Sequence, residues 1–168
     1  MLFNDPFLGI ADCYAEKQGY TPYEEYAKKL EKTGEKMGEY AYLYKDLSKL
    51  CSFMEIKQHF GLKARKFYTA GDKNALKALA EELGVGIARF DEFYEAFKDR
   101  WMKENKPFGF EVQDIRLGGM KARLLHCKER IEKYLKSELE SIPELEEKIL
   151  EKDIGFTVYR EYITPGIM

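Results

Sequence analysis

The chain has 168 residues, enough for one domain that buries a stable core without disulfides or a structural metal. Its 28 basic and 30 acidic residues are intermixed and leave a formal net charge of -2, so neither nucleic acid nor a membrane is an expected partner. The three cysteines show no Cys-x-x-Cys spacing, which indicates reduced thiols and predicts a cytoplasmic protein.

Residues 1–20 form an N-terminal segment. Its residues 1–11 are apolar, have no basic leader and are interrupted by Asn4, Asp5 and Pro6. This pattern is not that of a secretory signal peptide, and no stretch of the chain reaches the ~18 consecutive apolar residues of a membrane span. An apolar extended segment without a preceding turn or cap is unusual at the start of a domain. We therefore expect this segment to continue from an upstream domain.

Two helices are predicted next. Thr21 supplies a capping hydroxyl and Pro22 suits the first position of a helix over residues 21–33. Gly34 then ends this helix. A second helix is predicted over residues 39–70 because its apolar residues recur at steps of three and four, namely Tyr40, Leu43, Tyr44, Leu47, Leu50, Cys51 and Met54.

A third helix carries the most regular apolar pattern in the chain. Gly61 is the expected position of a bend in the second helix, Gly71 supplies its C-terminal turn, and Asp72 is placed to cap the third helix. The apolar seam of the third helix consists of Leu76, Ala80, Leu83, Ile87, Phe90, Tyr94, Phe97 and Trp101. Its register is unbroken across Gly84 and Gly86, which predicts one kinked helix.

Residues 105–119 are predicted to form a loop, since they combine aromatic residues with two acids, one arginine and paired glycines. Asp114 and Arg116 would project from the same face of an extended segment. There they could pair with each other or hold a carboxylate or backbone group of a partner. The alternative is that they cap the adjacent helix ends and fix the crossing of two helices.

A last long helix is predicted from Met120 to about Leu139, where the three-and-four spacing resumes. The predicted fold over residues 21–140 is therefore an all-α antiparallel bundle with three long helices and shorter ones.

The tail, residues 141–168, is predicted to contain a short helix and a minor extended segment. Ser141 would cap the helix, and residues 155–163 are rich in β-branched and aromatic residues typical of a strand. Because a strand must pair, its expected mate is residues 112–117, the N-terminal segment or another domain.

A search for catalytic or ligand-binding groups finds no converging set. Glu55 and His59 share a helix face, but two histidines in the whole chain without a paired motif fall short of a metal site. His126 and Cys127 are neighbours that point about 100° apart on a helix, which is poor geometry for a catalytic dyad. Residues 84–86 lack the third glycine of a phosphate-binding loop. No cofactor is expected.

Three segments together resemble one domain family. They are residues 2–9 (LFNDPFLG), residues 38–43 (GEYAYL) and residues 101–119 (WMKENKPFGFEVQDIRLGG). These segments resemble the C-terminal helical domain of a bacterial subgroup of glycoside hydrolase family 20, the exo-acting β-N-acetylhexosaminidases. The resemblance implies an upstream (β/α)₈ barrel, in which an Asp-Glu pair orients the substrate 2-acetamido group as nucleophile and protonates the glycosidic oxygen.

The resemblance transfers no catalytic residue to this chain. The pair Asp91-Glu92 falls inside a helix beside the core seam, and 168 residues are too few for a barrel of about 250 residues. We therefore expect a non-catalytic accessory domain that supports an upstream catalytic barrel and meets carbohydrate only through the parent enzyme.

Four residues in the motif segments are expected to form the polar part of the interdomain contact: Asn4, Asp5, Asp114 and Arg116. A homodimer is a further expected partnership. The alternative function is a free-standing helical interaction or dimerisation protein with no glycosidase attached. Barrel-coding sequence directly upstream would favour the first function, and a separate gene would favour the second.

Overall fold

The computed structural model describes residues 2–9, 12, 16–17 and 19–148, and its fold is all-α as predicted. The helices are α1 (Tyr23–Gly34), a 3-10 turn (Gly38–Tyr40), α2 (Ala41–Lys57), α3 (Phe60–Thr69), α4 (Lys73–Glu104), α5 (Phe110–Leu135) and α6 (Pro143–Glu146). No strand occurs among these described residues. None of these helices is both long and apolar enough to cross a membrane.

The core lies between the three long helices α2, α4 and α5. Helix α2 packs on α1 and on α4, and α4 packs on α5. The predicted seam of α4 is buried as far as Phe90, with Leu76, Leu83 and Phe90 at most 1% exposed, and its last three aromatic residues are half-buried. Phe53 of α2 meets Phe90 edge-on with ring centroids 5.2 Å apart, and Leu124 of α5 is fully buried. The three-and-four spacing therefore identified the core face of α4, but it was wrong for most of the second predicted helix, where Tyr40 and Leu47 of the predicted face are 57% and 48% exposed.

Helix α4 is continuous across both of its internal glycines, as predicted. Asp72 caps it as expected, because its carboxylate accepts a hydrogen bond of 2.9 Å from a first-turn backbone N–H. A Cβ at Gly86 would lie 3.1 Å from Cγ2 of Ile56 in α2, whereas a Cβ at Gly84 would meet only Cε of Lys128 at 3.4 Å. Gly86 thus marks a close approach of two helices, and Gly84 does not.

The prediction of one helix over residues 39–70 is wrong. A 3-10 turn precedes α2, and the helix is interrupted by a turn between Lys57 and Phe60 before α3 begins. Gly61 lies just after this break and has a different role. A Cβ there would lie 2.8 Å from the carbonyl oxygen of Pro6, so the glycine admits the N-terminal segment to the surface of α3.

Helix α1 begins within one residue of its predicted start, but its cap differs from the prediction. The N-cap position is Pro22, not Thr21, and it makes no side-chain hydrogen bond. Instead, the carboxylate of Glu55 in α2 accepts hydrogen bonds from the backbone N–H of Glu24 at 2.9 Å and from the hydroxyl of Tyr20 at 2.6 Å. A neighbouring helix therefore satisfies the first turn of α1.

Most of the predicted loop over residues 105–119 is helical. The connection between α4 and α5 covers only residues 105–109, and Gly109 precedes α5 with a φ of 95°. The Glu111 carboxylate accepts a hydrogen bond of 2.7 Å from the Gly109 backbone N–H, which places an acid at the helix N-terminus. Helix α5 then continues through the glycine pair and ends at Leu135, four residues short of the predicted end.

The tail is described only in part. Helix α6 is shorter than predicted, and Ser141 is not its cap because the N-cap residue is Ile142, which makes no side-chain cap hydrogen bond. Ile142 is fully buried and belongs to the same core as α4 and α5. The predicted strand over residues 155–163 lies outside the described residues. One of its suggested mates, residues 112–117, is helical within α5.

Candidate functional site

The described residues 2–9 of the N-terminal segment are fixed to α5 by an ion pair between Asp5 and Arg123. Nε and Nη2 of Arg123 donate hydrogen bonds to the Asp5 carboxylate at 2.7 and 3.1 Å, and the backbone N–H groups of Phe7 and Leu8 donate to it at 2.9 Å each. Burial acts to raise the pKa of Asp5, but these hydrogen bonds outweigh it and hold the pKa below 3.8. The carboxylate is therefore ionised and engaged within the domain.

A second set of polar contacts lies beneath the same segment. Lys57 at the end of α2 is 5% exposed, and its Nζ donates a hydrogen bond of 2.6 Å to the backbone carbonyl of Asn4. The side-chain amide of Asn4 donates to Asp12 at 2.6 Å. Burial lowers the pKa of Lys57 to about 8 and raises the pKa of Asp12. Buried charge is thus part of what holds the segment in place.

Arg65 of α3 joins the N-terminal segment to α6. Its guanidinium donates hydrogen bonds to four backbone carbonyls, those of Phe7 at 2.8 Å, Glu144 at 3.0 Å, and Leu145 and Glu147 at 2.7 Å each. Because Arg presents its donors in a fixed planar fork, one side chain can set the position of two separate chain segments.

The prediction that Asp114 and Arg116 share a face of an extended segment is wrong. Both residues lie in α5, where positions two apart point about 200° apart. Asp114 is exposed and accepts a hydrogen bond of 2.5 Å from the hydroxyl of Tyr94 in α4. This hydrogen bond is the largest cause of the raised pKa of Tyr94, which reaches about 12. Arg116 is half-buried on the opposite side of the helix.

The four predicted contact residues therefore fall into two groups. Arg116 precedes Arg123 by seven residues, or nearly two helical turns, so the two arginines point in similar directions about 10 Å apart along α5. Through the Asp5–Arg123 pair, Asn4 and Asp5 lie on this flank of α5 as well. Asp114 lies on the other flank, next to α4.

A shallow groove of about 290 Å³ runs beside Asp114 between α4 and α5. The Asp91 carboxylate in this groove is paired with Lys121 at 2.7 Å, while Asp114 is bonded to Tyr94. Since these polar groups satisfy one another, they contribute to the contact between the two helices.

The remaining chemical candidates are separated by the fold. Cys127 is fully buried, and burial raises the pKa of its thiol to about 12, whereas neighbouring His126 is exposed. The two side chains therefore cannot act as a nucleophile and base. In the part of the chain that the structure describes, no group of three or more His, Cys, Asp or Glu residues is placed to hold a metal ion.

Sequence reasoning missed the three basic residues that organise this region. Arg65 and Arg123 carried no signal, because a basic residue on a long helix ordinarily belongs to a solvated face. Lys57 did carry one. It follows Met54 by three residues and so occupies the apolar register of α2, where a lysine needs a buried partner.

The profile of the family described as "Glycoside Hydrolase 20C C-terminal domain" matches residues 1–160. The chain belongs to this family. No curated protein matches the chain. The match to a glycoside hydrolase family 20 C-terminal domain includes the N-terminal segment, so residues that anchor to α2, α3 and α5 are part of the domain itself.

Proposed function

We propose that this chain is a non-catalytic accessory domain that supports the catalytic barrel of a family 20 glycoside hydrolase removing terminal N-acetylhexosamine residues. The observation that carries the proposal is the extent of the family match, which covers residues 1–160 of 168. A (β/α)₈ barrel takes about 250 residues, so the catalytic barrel is encoded elsewhere. The sequence has no Cys-x-x-Cys motif and the thiol of Cys127 is buried. Both features support a cytoplasmic enzyme.

The N-terminal segment supplies the connection to the barrel. Because Asp5 is anchored by four hydrogen bonds and Lys57 holds the backbone of Asn4, residues 4–8 have a fixed position on the bundle. A fixed segment restricts how an upstream domain can sit. Asn4 and Asp5 therefore serve the interdomain contact by positioning, and Arg116 on the same flank of α5 contacts the barrel directly. Asp114 lies on the opposite flank, where it bonds to Tyr94, and it is not part of this proposed contact.

Activity of the separate parts tests the proposed division of roles. The chain alone is expected to give no turnover of a chromogenic N-acetylglucosaminide, while the upstream barrel joined to the chain hydrolyses it. The barrel expressed without the chain is expected to unfold at a lower temperature, because the surface it buries against the bundle becomes exposed. Hydrolysis by the chain alone would overturn the proposal, as would a gene with no barrel-coding sequence upstream.

The variant Arg116→Ala tests the contact. In the joined enzyme it is expected to reduce the free energy of unfolding by about 1 kcal/mol more than it does in the isolated chain, because only the joined enzyme contains the interdomain contact. Lys77→Ala, an exposed position on α4, is the control and should have little effect in either protein. Equal losses from Arg116→Ala in both proteins would assign Arg116 to the bundle alone.

A further inference from the structure

Helix α5 has an apolar stripe on the side that faces away from the core. Val112, Ile115 and Leu125 are 44%, 60% and 47% exposed, and Phe108 just before the helix is 86% exposed. Gly118, Gly119 and Ala122 are exposed between them. We call residues 112, 115, 118, 119, 122 and 125 the α5 stripe. A connected set of apolar residues of this kind on a soluble domain commonly marks an interaction surface.

The spacing of the α5 stripe is symmetric along the helix, although the paired residues differ in size. Val112 and Leu125 are equally distant from the midpoint between Gly118 and Gly119, and so are Ile115 and Ala122. Two copies of the helix placed antiparallel about this midpoint would therefore set large apolar residues against apolar residues and glycine against glycine. A two-fold symmetric interface requires this self-complementarity, since each side presents the same surface.

Charges at the ends of the α5 stripe favour the same arrangement. In the antiparallel pairing, Glu111 of one copy lies opposite His126 of the other, and both residues are exposed. A parallel, in-register pairing would instead place Glu111 against Glu111, and like charges in contact are unfavourable. The charge pattern therefore selects the antiparallel orientation.

The glycine at the centre of the α5 stripe has no packing role within the domain. A Cβ at Gly118 would meet nothing within 4 Å, so the bundle does not require glycine there. Glycine inside a helix costs about 1 kcal/mol relative to alanine. A missing side chain at the crossing point lets a second helix approach more closely, because the distance between packed helices depends on the side chains at the contact.

We infer that the α5 stripe is the interface through which two copies of this chain pair as an antiparallel, two-fold symmetric dimer. The N-terminal segment lies on the flank of α5 that carries Arg123, so the outward-facing stripe remains available to the second copy. The stripe from Val112 to Leu125 is about 20 Å long. One helix pair of this length buries less than the roughly 800 Å² per partner of a standard interface, so the isolated chain should dimerise with a dissociation constant of roughly tens of micromolar.

Analytical ultracentrifugation over about 5 to 500 µM tests this inference, since that range brackets the expected constant. The wild-type chain should change from monomer to dimer, and Ile115→Glu should remain monomeric. Leu47→Glu and Val85→Glu are matched controls, because these side chains are 48% and 52% exposed on α2 and α4. Both controls should dimerise as the wild type does. A wild type that stays monomeric, or controls that abolish the dimer equally, would overturn the inference.

Charge reversal tests the orientation independently and does not alter the apolar core. His126→Glu should place two acids together and weaken the dimer by about tenfold, and Glu111→Lys should weaken it because it removes the acid opposite His126. The double variant, Glu111→Lys with His126→Glu, should restore the wild-type dissociation constant. A double variant as weak as the single variants would exclude the antiparallel register and with it the proposed dimer. Neither result depends on a catalytic barrel, so this test is separate from that of the proposed function.

Discussion

The Asp5–Arg123 pair joins residues that are 118 positions apart and anchors the N-terminal segment to α5. We expect Arg123→Ala to lower the free energy of unfolding by about 3 kcal/mol, because it leaves a largely buried carboxylate without its countercharge. Urea unfolding followed by circular dichroism measures this loss. Lys98→Ala is the control, since its ion pair with Glu95 is on the surface and should be worth less than about 1 kcal/mol.

The Asp5–Arg123 pair also predicts that the protein loses stability in acid. The pKa of Asp5 is lower in the folded protein than in the unfolded chain, so its contribution is present above pH 3.8 and is lost as the pH falls through the folded pKa. In Arg123→Ala the hydrogen bonds that lower this pKa are reduced. An unchanged loss of stability in acid for that variant would contradict the assignment of the effect to Asp5.

Lys57 provides a second prediction, in mild alkali. Burial lowers its pKa from 10.5 to about 8, so between these values the unfolded chain binds more protons and stability rises with pH. The Lys57 contribution should increase by about 1 kcal/mol between pH 8 and 9. Urea unfolding of the wild type and of Lys57→Met across this range should differ by that amount.

Ionisation of Cys127 changes the free energy of unfolding in the opposite direction in the same experiment. Burial raises the pKa of Cys127 from 9.0 to about 12, so stability attributable to this thiol falls as the pH rises above about 9. Both proteins contain Cys127, and the comparison between them therefore isolates Lys57. Parallel stability curves for the two proteins would show that Lys57 does not titrate in this range.

At the level of the helix, the two glycines of α4 should respond differently to alanine. Gly84→Ala is expected to raise the free energy of unfolding by about 0.5–1 kcal/mol, because only the flexible end of Lys128 is near the new methyl group. Gly86→Ala is expected to lower it, because buried Ile56 must move to admit a Cβ at 3.1 Å. Thermal unfolding distinguishes the two variants, and equal shifts would refute the close approach of α2 and α4 at Gly86.

The start of α5 shows where sequence reasoning could have gone further. The aromatic residues, two acids, single arginine and paired glycines of residues 105–119 favoured a loop. Yet Phe110 and Leu117 are seven apart and continue at steps of three and four through Met120 and Leu124, all of which are buried. The seam was therefore readable across the glycines, as it was in α4, and the helix start could have been placed at Phe110.

The break between α2 and α3 could not have been found in this way. Neither glycine nor proline occurs between Lys57 and Phe60. The break coincides with long-range contacts, since Gln58 bonds to both backbone groups of Thr21 at 2.9 and 3.1 Å and Lys57 bonds to Asn4. Contacts between residues far apart in sequence carry no local signature, and the same holds for the Asp5–Arg123 pair in the candidate site.

At the level of the whole molecule, Arg65 makes the N-terminal segment and α6 depend on one another. Helix α6 is short and packs on α3. The guanidinium of Arg65 lies between the carbonyl of Phe7 and those of residues 144, 145 and 147. Local opening of either segment should therefore expose donors that the other segment also uses.

Arg65→Lys should consequently release both segments together. A lysine has three donors at one point and cannot reach four carbonyls on two segments, so we expect a loss of about 2–4 kcal/mol. Hydrogen exchange followed by mass spectrometry should show faster exchange at residues 7–9 and at residues 145–147 in the same variant. Arg89→Lys is the control, because Arg89 bonds Glu24 and the carbonyl of Ser52 and should affect α1 and α2 instead. Faster exchange in only one of the two segments would show that they are anchored independently, and that other contacts, such as the Asp5–Arg123 pair, hold the N-terminal segment without α6.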